Sequence, residues 1–280
     1  MTFDDNSYEM FPDANAERDD ADYVLLGAPL DRSTTFQPGA RFGPRRVRQF
    51  AETFDDYDRR TDRRFSALAV HDAGDLDTFE DVEEYLDFLA GLLGDAADDG
   101  AVPLLVGGEH TVSAAGVRAT DPDVFVCLDA HLDLRESYAG DEYSHATVTR
   151  HALDVADRAV VLGARAGSEA EYERAERDDV TVVPPGDVAD WEPDFDDGAA
   201  VYCSVDIDAA DPGFAPGTGT MEPFGLEPRD LRAVVRSVAS STVGFDLVEV
   251  NDRDDGQAAA LGAKLLREFV YSHAQTGADD

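Results

Sequence analysis

Apolar runs alternate with amphipathic stretches along most of the chain. Runs rich in Val, Leu and Ala, such as residues 102–106, have the length and composition of buried strands. Residues 79–93 instead place Val82, Leu86, Leu89 and Leu93 on one face with acidic residues opposite, as expected for a surface helix. The pattern predicts strands at 23–27, 67–71, 102–106, 124–129, 159–163, 180–183, 200–205 and 243–248. It predicts helices at 43–54, 79–93, 111–119, 146–156, 228–240 and 256–275.

This alternation of strands and helices predicts one α/β domain over residues 1–280, preceded within it by an acidic, polar segment at residues 1–20. We expect three layers, α-β-α, around a central and mainly parallel sheet. Ligands of such sheets bind beyond the carboxyl ends of the strands. Residues with reactive or metal-binding side chains at predicted strand ends are therefore the best candidates for functional residues.

Three predicted strands end in histidines and carboxylates: Gly107-Gly108-Glu109-His110, Asp129-Ala130-His131-Leu132-Asp133 and Asp206-Ile207-Asp208. Side chains two apart in an extended chain point the same way, so these residues can converge. A lone Asp-x-Asp is usually a loop or a helix cap, and a lone histidine after Gly-Gly usually starts a helix, but three such segments at strand ends are more specific. Four aspartates and two imidazoles carry too much negative charge for one divalent ion and suit two. Their donor atoms favour an ion such as Mn²⁺ over a structural zinc bound by thiolates.

The net charge of −38, from 61 acidic and 23 basic residues, narrows the list of partners. A nucleic-acid-binding protein needs a basic surface, so nucleic acid is not an expected partner. The acidic residues are spread along a chain with strong apolar periodicity, which favours a folded protein over a disordered one. We expect a protein from a halophile, in which salt screens the repulsion between its charges.

Residues 1–20 lack the basic and apolar regions of a signal peptide, and no apolar run reaches the ~18 residues of a membrane span. We therefore expect a cytoplasmic protein with no membrane partner. The two cysteines, Cys127 and Cys203, lie in predicted strands and are expected to be buried free thiols.

From about residue 27 to residue 269 the chain resembles the ureohydrolases, which include arginase and agmatinase. The three ligand segments carry the resemblance. The segment Asp206-Ile207-Asp208 runs on to a further matching stretch, Asp211-Pro212-Gly213-Phe214-Ala215-Pro216-Gly217. Further matching segments are Gly27-Ala28-Pro29-Leu30-Asp31, Pro38-Gly39-Ala40-Arg41-Phe42-Gly43-Pro44 and Gly244-Phe245-Asp246-Leu247-Val248-Glu249-Val250-Asn251. The resemblance implies an arginase-like fold and an assembly of three or six identical subunits.

The resemblance also implies two Mn²⁺ ions per subunit and no organic cofactor. By motif position, His110 and Asp133 should hold one ion and His131 and Asp208 the other. Asp129 and Asp206 should bridge the two ions.

The resemblance also implies a mechanism: two metal ions ~3.5–4 Å apart would make a bridging hydroxide near neutral pH, and this hydroxide would attack the guanidinium carbon of the substrate. Asp133 can accept a hydrogen bond from the hydroxide and orient it. His145 matches the family's histidine that shuttles a proton to the leaving amine. Glu222 matches the glutamate that pairs with the guanidinium group.

The segment Gly217-Thr218-Gly219-Thr220, followed by Glu222, looks more like agmatinases than arginases. The expected reaction is hydrolysis of agmatine to putrescine and urea, a step in polyamine biosynthesis. Arg135 leaves an alternative open, since an arginine near the pocket suits an acid such as guanidinobutyrate, arginine or formiminoglutamate. We favour instead an ion pair of Arg135 with Glu136 or Asp141. Met221, Ala146, Asp252 and Ala258-Ala259 depart from the usual family pattern without removing a ligand.

Two functions from other classes remain as alternatives. A metal-dependent deacetylase of related fold would keep one zinc and would not need His110 and Asp133. A non-catalytic protein that merely holds cations would not explain histidines among the acids at strand ends. The remaining histidines, His71, His151 and His273, are expected to have structural or surface roles.

Overall fold

A single parallel sheet of eight strands forms the centre of the protein in the computed structural model, which describes residues 10–196 and 198–276. Two further strands lie outside this sheet, so the described residues form ten in all: β1 (Tyr23–Ala28), β2 (Tyr57–Asp58), β3 (Arg63–Arg64), β4 (Val70–Asp75), β5 (Val102–Gly107), β6 (Val124–Leu128), β7 (Arg158–Leu162), β8 (Val180–Val183), β9 (Val201–Asp206) and β10 (Thr242–Val248). The sheet order is β4-β1-β5-β10-β9-β6-β7-β8, with every neighbouring pair parallel. Strands β2 and β3 form a separate antiparallel hairpin.

Helices cover both faces of this sheet. They are α1 (Gly43–Ala51), α2 (Val82–Asp98), α3 (Ser113–Thr120), α4 (Val148–Ala152), α5 (Glu169–Ala175), α6 (Pro228–Val238) and α7 (Gln257–Thr276). Helices α1, α6 and α7 pack together on one face, and α2, α3 and α4 pack together on the other. The pleat of β5 shows the division, because Leu104 lies in the first core and its neighbour Leu105 in the second. The predicted three-layer α-β-α architecture is confirmed.

The predicted strands and helices are all present, with differences at their ends. The strand predicted at 67–71 begins only at Val70, because residues 65–67 form a 3₁₀ turn and Ala69 has a left-handed backbone (φ 50°). Helix α4 is shorter than the predicted 146–156. Helix α5 was not predicted, since Glu171 is its only buried residue and it carries no apolar stripe. The one feature of the sequence that indicates the start of this helix is the capping box of Ser168 and Glu171.

The four central strands of the sheet are β5, β10, β9 and β6, and their carboxyl ends meet at one edge. Gly108 follows β5 there and joins neighbouring segments: its N–H donates to Ala28 O (2.7 Å) and its carbonyl accepts from Glu249 N (2.8 Å). A Cβ atom at Gly108 would lie 1.9 Å from Leu30 O, so only glycine fits. The residues that follow these strands are therefore held close together. Within the described residues, no helix has the length and apolar character needed to cross a bilayer.

Candidate metal centre

His110 forms the first of two adjoining groups of ligands. Its Nδ1 atom lies 3.1 Å from Oδ2 of Asp129, 3.1 Å from Oδ2 of Asp133 and 3.4 Å from Oδ2 of Asp206. All four residues are buried. The predicted members of one metal site, His110 and Asp133, thus lie together with both predicted bridging aspartates.

His131 forms the second group. Its Nδ1 atom lies 3.0 Å from Oδ2 of Asp208 and 3.5 Å from Oδ1 of Asp129. Asp129 therefore turns one oxygen toward His110 and the other toward His131. A carboxylate placed in this way can bridge two ions, and Asp129, His131 and Asp208 have donor atoms close enough to hold one ion.

Backbone hydrogen bonds fix the orientation of the aspartates. The N–H of His131 donates to Oδ1 of Asp129 (2.6 Å), and the N–H of Ala130 donates to Oδ1 of Asp208 (3.0 Å). The N–H of Asp208 donates to Oδ1 of Asp206 (2.8 Å). The oxygens that face the histidines are thereby set by the local turns after β6 and β9.

The hydrogen bonds of His110 test whether the group suits a cation. Ser204 donates its hydroxyl hydrogen to Oδ1 of Asp246 (2.6 Å), so it accepts from Nε2–H of His110, 3.1 Å away. The Nδ1 atom then carries a lone pair, and it has no hydrogen-bond partner although it is buried. A buried lone pair that faces three carboxylate oxygens is repulsive unless a cation lies between them, so these residues fit a divalent ion.

Two of the acids, Asp133 and Asp206, resist ionisation without a cation. Burial, reinforced by the charge of Asp129, raises the pKa of Asp133 to about 7. Burial and the charge of Asp208 raise the pKa of Asp206 well above its usual value. Bound cations would remove this cost and favour the charged carboxylates.

Cys127 also lies near the first group, with Sγ 3.8 Å from both Nε2 of His110 and Oδ2 of Asp129. Burial raises the pKa of this thiol well above its usual value, which favours the protonated form. A thiol is a poor metal ligand compared with a thiolate. Cys127 and Cys203 are both buried and free, as predicted.

A cavity of about 350 Å³ opens onto the predicted metal ligands. His145, Arg135, Tyr138, Thr220 and Glu249 are among the residues that line it. Two of the lining residues, Asp133 (φ 49°) and Glu249 (φ 61°), have left-handed backbones. Such strain in residues other than glycine is typical of functional sites.

His145 lies in the cavity wall, as its predicted role requires. Burial lowers its pKa to about 4. The ring is therefore neutral at pH 7 and has one nitrogen available as a proton acceptor.

Glu222 and Glu249 occupy different places. The Glu222 carboxylate is at the rim, 3.9 Å from Nε2 of His131, and its carbonyl accepts from Arg165 (2.6 Å). Glu249 is buried among the residues that line the cavity, and burial raises its pKa to about 8. Sequence reasoning gave Glu249 no role, although it follows β10 as the predicted metal ligands lie at or after the ends of β5, β6 and β9.

Arg135 forms an ion pair, but both predicted partners, Glu136 and Asp141, are wrong. Its guanidinium lies 3.1 Å from Oε2 of Glu171 and over the ring of Tyr138 (4.9 Å). Glu171 belongs to the unpredicted helix α5, which explains why local sequence could not supply this partner.

The other histidines lie outside the cavity lining. Nδ1 of His71 is 2.9 Å from Ala16 O, and Nε2 of His151 is 2.9 Å from Glu142 O. Nδ1 of His273 lies 2.8 Å from the hydroxyl oxygen of Tyr23, at hydrogen-bonding distance.

Comparison with known proteins extends these observations. Residues 21–271 match the Arginase family. The agmatinase of Bacillus anthracis is 33% identical over 96% of this chain and 98% of its own length. The proclavaminate amidinohydrolase of Streptomyces clavuligerus is 34% identical over 90% of this chain and 89% of its own length. The crystal structure of agmatine ureohydrolase of Thermoplasma volcanium superposes with a TM-score of 0.92 at 32% identity, covering 98% of this chain and 97% of that one.

Proposed function

The chain belongs to the Arginase family, and on that premise we propose that it hydrolyses agmatine to putrescine and urea as a step in polyamine biosynthesis. The observation that carries the proposal is the pair of ligand groups around His110 and His131, which share Asp129 and open onto one cavity. This is the arrangement expected for a hydrolase that attacks an unreactive carbon with water.

His110, Asp133, His131 and Asp208 would hold two Mn²⁺ ions, with Asp129 and Asp206 between them. When bound, the ions would lower the pKa of a water molecule so that it can attack near neutral pH. Asp133 is placed to accept a hydrogen bond from that water and orient it.

A carboxylate is needed to hold the guanidinium cation against the metal centre. The sequence predicts Glu222 for this role, and Glu222 at the rim remains a candidate. Geometry favours Glu249, because its buried carboxylate lines the cavity beside His110 and a planar guanidinium pairs well with a carboxylate. A cation bound there would also return the raised pKa of Glu249 toward its usual value.

The reaction needs one proton transfer to the leaving group. Water forms a bond to the guanidinium carbon, the bond from that carbon to the substituted nitrogen breaks, and this nitrogen takes up a proton. His145 lies in the cavity wall as a neutral ring, so it can carry the proton.

Arg135 bears on the choice of substrate. Its ion pair with Glu171 leaves this pair without net charge, so Arg135 need not repel the ammonium group of agmatine. The alternative is a guanidino or formimino acid whose carboxylate binds Arg135. Overall identity does not separate these substrates, since relatives with different named substrates are 33% and 34% identical. The remote deacetylase alternative needs one zinc and leaves His110 and Asp133 unexplained.

The proposal also covers the cellular location of the protein and its assembly into subunits. We propose a cytoplasmic enzyme with a small guanidino substrate, for which two buried free cysteines are suitable. We also propose a homotrimer or homohexamer, since Phe214, Met221 and Phe224 expose apolar surface that a second subunit could cover.

The proposal is tested by refolding the protein in molar KCl with MnCl₂ and supplying agmatine, guanidinobutyrate, arginine and formiminoglutamate in parallel. Urea and formamide are measured separately, and His110→Asn serves as the control for the metal centre. Urea and putrescine from agmatine alone are expected. Turnover of one of the acids would replace agmatine with that acid, and no turnover of any substrate would refute the proposed reaction.

A further inference from the structure

Glu109 lies between the metal ligand His110 and the segment that follows β1. The backbone N–H groups of Arg32 (2.6 Å) and Ser33 (2.7 Å) donate to its Oε2 atom. The hydroxyls of Ser33 (3.0 Å) and Thr111 (2.7 Å) donate to its Oε1 atom. Four donors directed at two fully buried oxygens require an acceptor, so Glu109 is a carboxylate that holds Ser33 in place.

The hydroxyl of Ser33 continues this chain of hydrogen bonds to His145. A serine hydroxyl has one hydrogen, and Ser33 donates it to Glu109. The backbone N–H of His145 lies 3.0 Å from the same oxygen and donates to it. Nδ1 of His145 lies 2.9 Å from it as well. Because Ser33 has no second hydrogen to give, Nδ1 must carry a hydrogen and donate it.

We infer that Glu109 and Ser33 hold His145 in the tautomer with hydrogen on Nδ1, which leaves the Nε2 lone pair free for proton transfer in the cavity. Nε2 has no hydrogen-bond partner in residues 10–196 and 198–276, and the ring lines the cavity. The nearest competing hydroxyl, of Ser144, is 3.5 Å from Nδ1 and therefore too far for a strong bond.

The tautomer of His145 follows from the hydrogen bonds alone, but its role in catalysis rests on the proposed function. Nε2 takes up the proton that the attacking water releases, which makes the ring an imidazolium. It then gives that proton to the nitrogen of the breaking carbon–nitrogen bond and becomes neutral again. Ser33 and Glu109 are positioning residues, since they act through His145 and do not themselves bind the substrate.

The tautomer can be measured directly. Protein labelled with ¹⁵N-histidine and loaded with diamagnetic Zn²⁺ is studied at pH 8 by two-bond ¹H–¹⁵N correlation, which separates protonated from bare ring nitrogens. The His145→Gln variant identifies the signals of His145 by their loss. We expect hydrogen on Nδ1 in the wild type and in Ser33→Thr, which keeps the hydroxyl. Ser33→Ala should lose this fixed state, and Ser144→Ala should keep it.

Kinetics supply a second readout with Mn²⁺ and agmatine. Ser33→Ala should lower kcat by about 10- to 100-fold with little change in KM, and Ser33→Thr should restore most of the loss. Hydrogen on Nε2 in the wild type, or an unchanged tautomer in Ser33→Ala, would overturn the inference. A wild-type protein inactive on agmatine would refute the proposed substrate instead, and the tautomer would still decide the inference.

Discussion

The backbone N–H of His110 donates a hydrogen bond of 2.9 Å to Oε1 of Glu249. This bond joins a predicted metal ligand after β5 to the buried carboxylate after β10. One long-range hydrogen bond thus ties the candidate metal centre to the proposed guanidinium site. Oε2 of Glu249 lies 3.4 Å from the position that a Cβ of Gly219 would occupy, which is ordinary van der Waals contact.

Glu249→Gln should lower kcat/KM for agmatine by about 10- to 100-fold. The amide keeps an acceptor for His110 but loses the charge that pairs with the substrate, and hydrogen bonds to charged groups contribute about 1.5–3 kcal/mol. Glu222→Gln is the matched variant and should have the smaller effect. Steady-state kinetics decide between them. A larger loss in Glu222→Gln would place the guanidinium at the rim, as the sequence predicts.

Arg135→Gln should leave kcat/KM for agmatine within about twofold of the wild type. In the structure, the charge of Arg135 is already paired with Glu171, which has a side chain only 5% exposed. Glu171→Gln should instead weaken the loop around Arg135, because Ser168 and Leu134 also donate to this carboxylate. An increase in KM for an acidic substrate but not for agmatine, measured in Arg135→Gln, would make Arg135 a carboxylate-binding residue.

The thermal midpoint of unfolding should rise as KCl is increased from dilute buffer to molar concentration. A net charge of −38 destabilises the folded state by self-repulsion, and salt screens it. Calorimetry over a series of KCl concentrations measures the effect, with subunit number followed by light scattering. Full activity and an unchanged midpoint without added salt would contradict the halophilic interpretation.

Acid should destabilise the packing around His273. Burial lowers the pKa of His273 below 6.5, so the folded state favours a neutral ring. Below pH 6.5 the unfolded chain binds a proton that the folded chain does not, and the free energy of unfolding falls until the pH reaches the folded pKa. Urea unfolding of the wild type and His273→Gln in molar KCl should therefore converge between pH 7 and pH 5. A constant difference would show that His273 does not titrate on unfolding.

The fold was predictable from the sequence because its elements have strong local patterns. Apolar runs mark seven of the eight strands of the sheet, and β4, with the sequence VHDAGD, was only partly covered by its prediction. The amphipathic helices are long enough to be recognised. Helix α5 was missed because its one buried residue, Glu171, is polar. The helix therefore has no periodic pattern of apolar residues by which it could be recognised. The hairpin of β2 and β3 was missed because each strand has only two residues, neither of them apolar in β3.

The part of the site that is formed by short sequence motifs at strand ends was predictable. His110, Asp129, His131, Asp133, Asp206 and Asp208 follow strands, and parallel strands bring their ends to one edge. Long-range relationships were not predictable. The contact of Ser33 with His145 joins residues 112 apart, and Arg135 with Glu171 depends on the packing of an unpredicted helix. The distinction between Glu222 and Glu249 needed the shape of the cavity.

Metal stoichiometry tests the central claim most directly. The protein is stripped of metal, titrated with Mn²⁺ by calorimetry in molar KCl, and its bound metal is counted by elemental analysis. Asp129→Asn removes the charge of the shared carboxylate, and Asp95→Asn, at an exposed position on α2, is the matched control. Two Mn²⁺ per subunit in the wild type and in Asp95→Asn, with fewer in Asp129→Asn, is the expected result. One or no tightly bound ion in the wild type would contradict a binuclear centre.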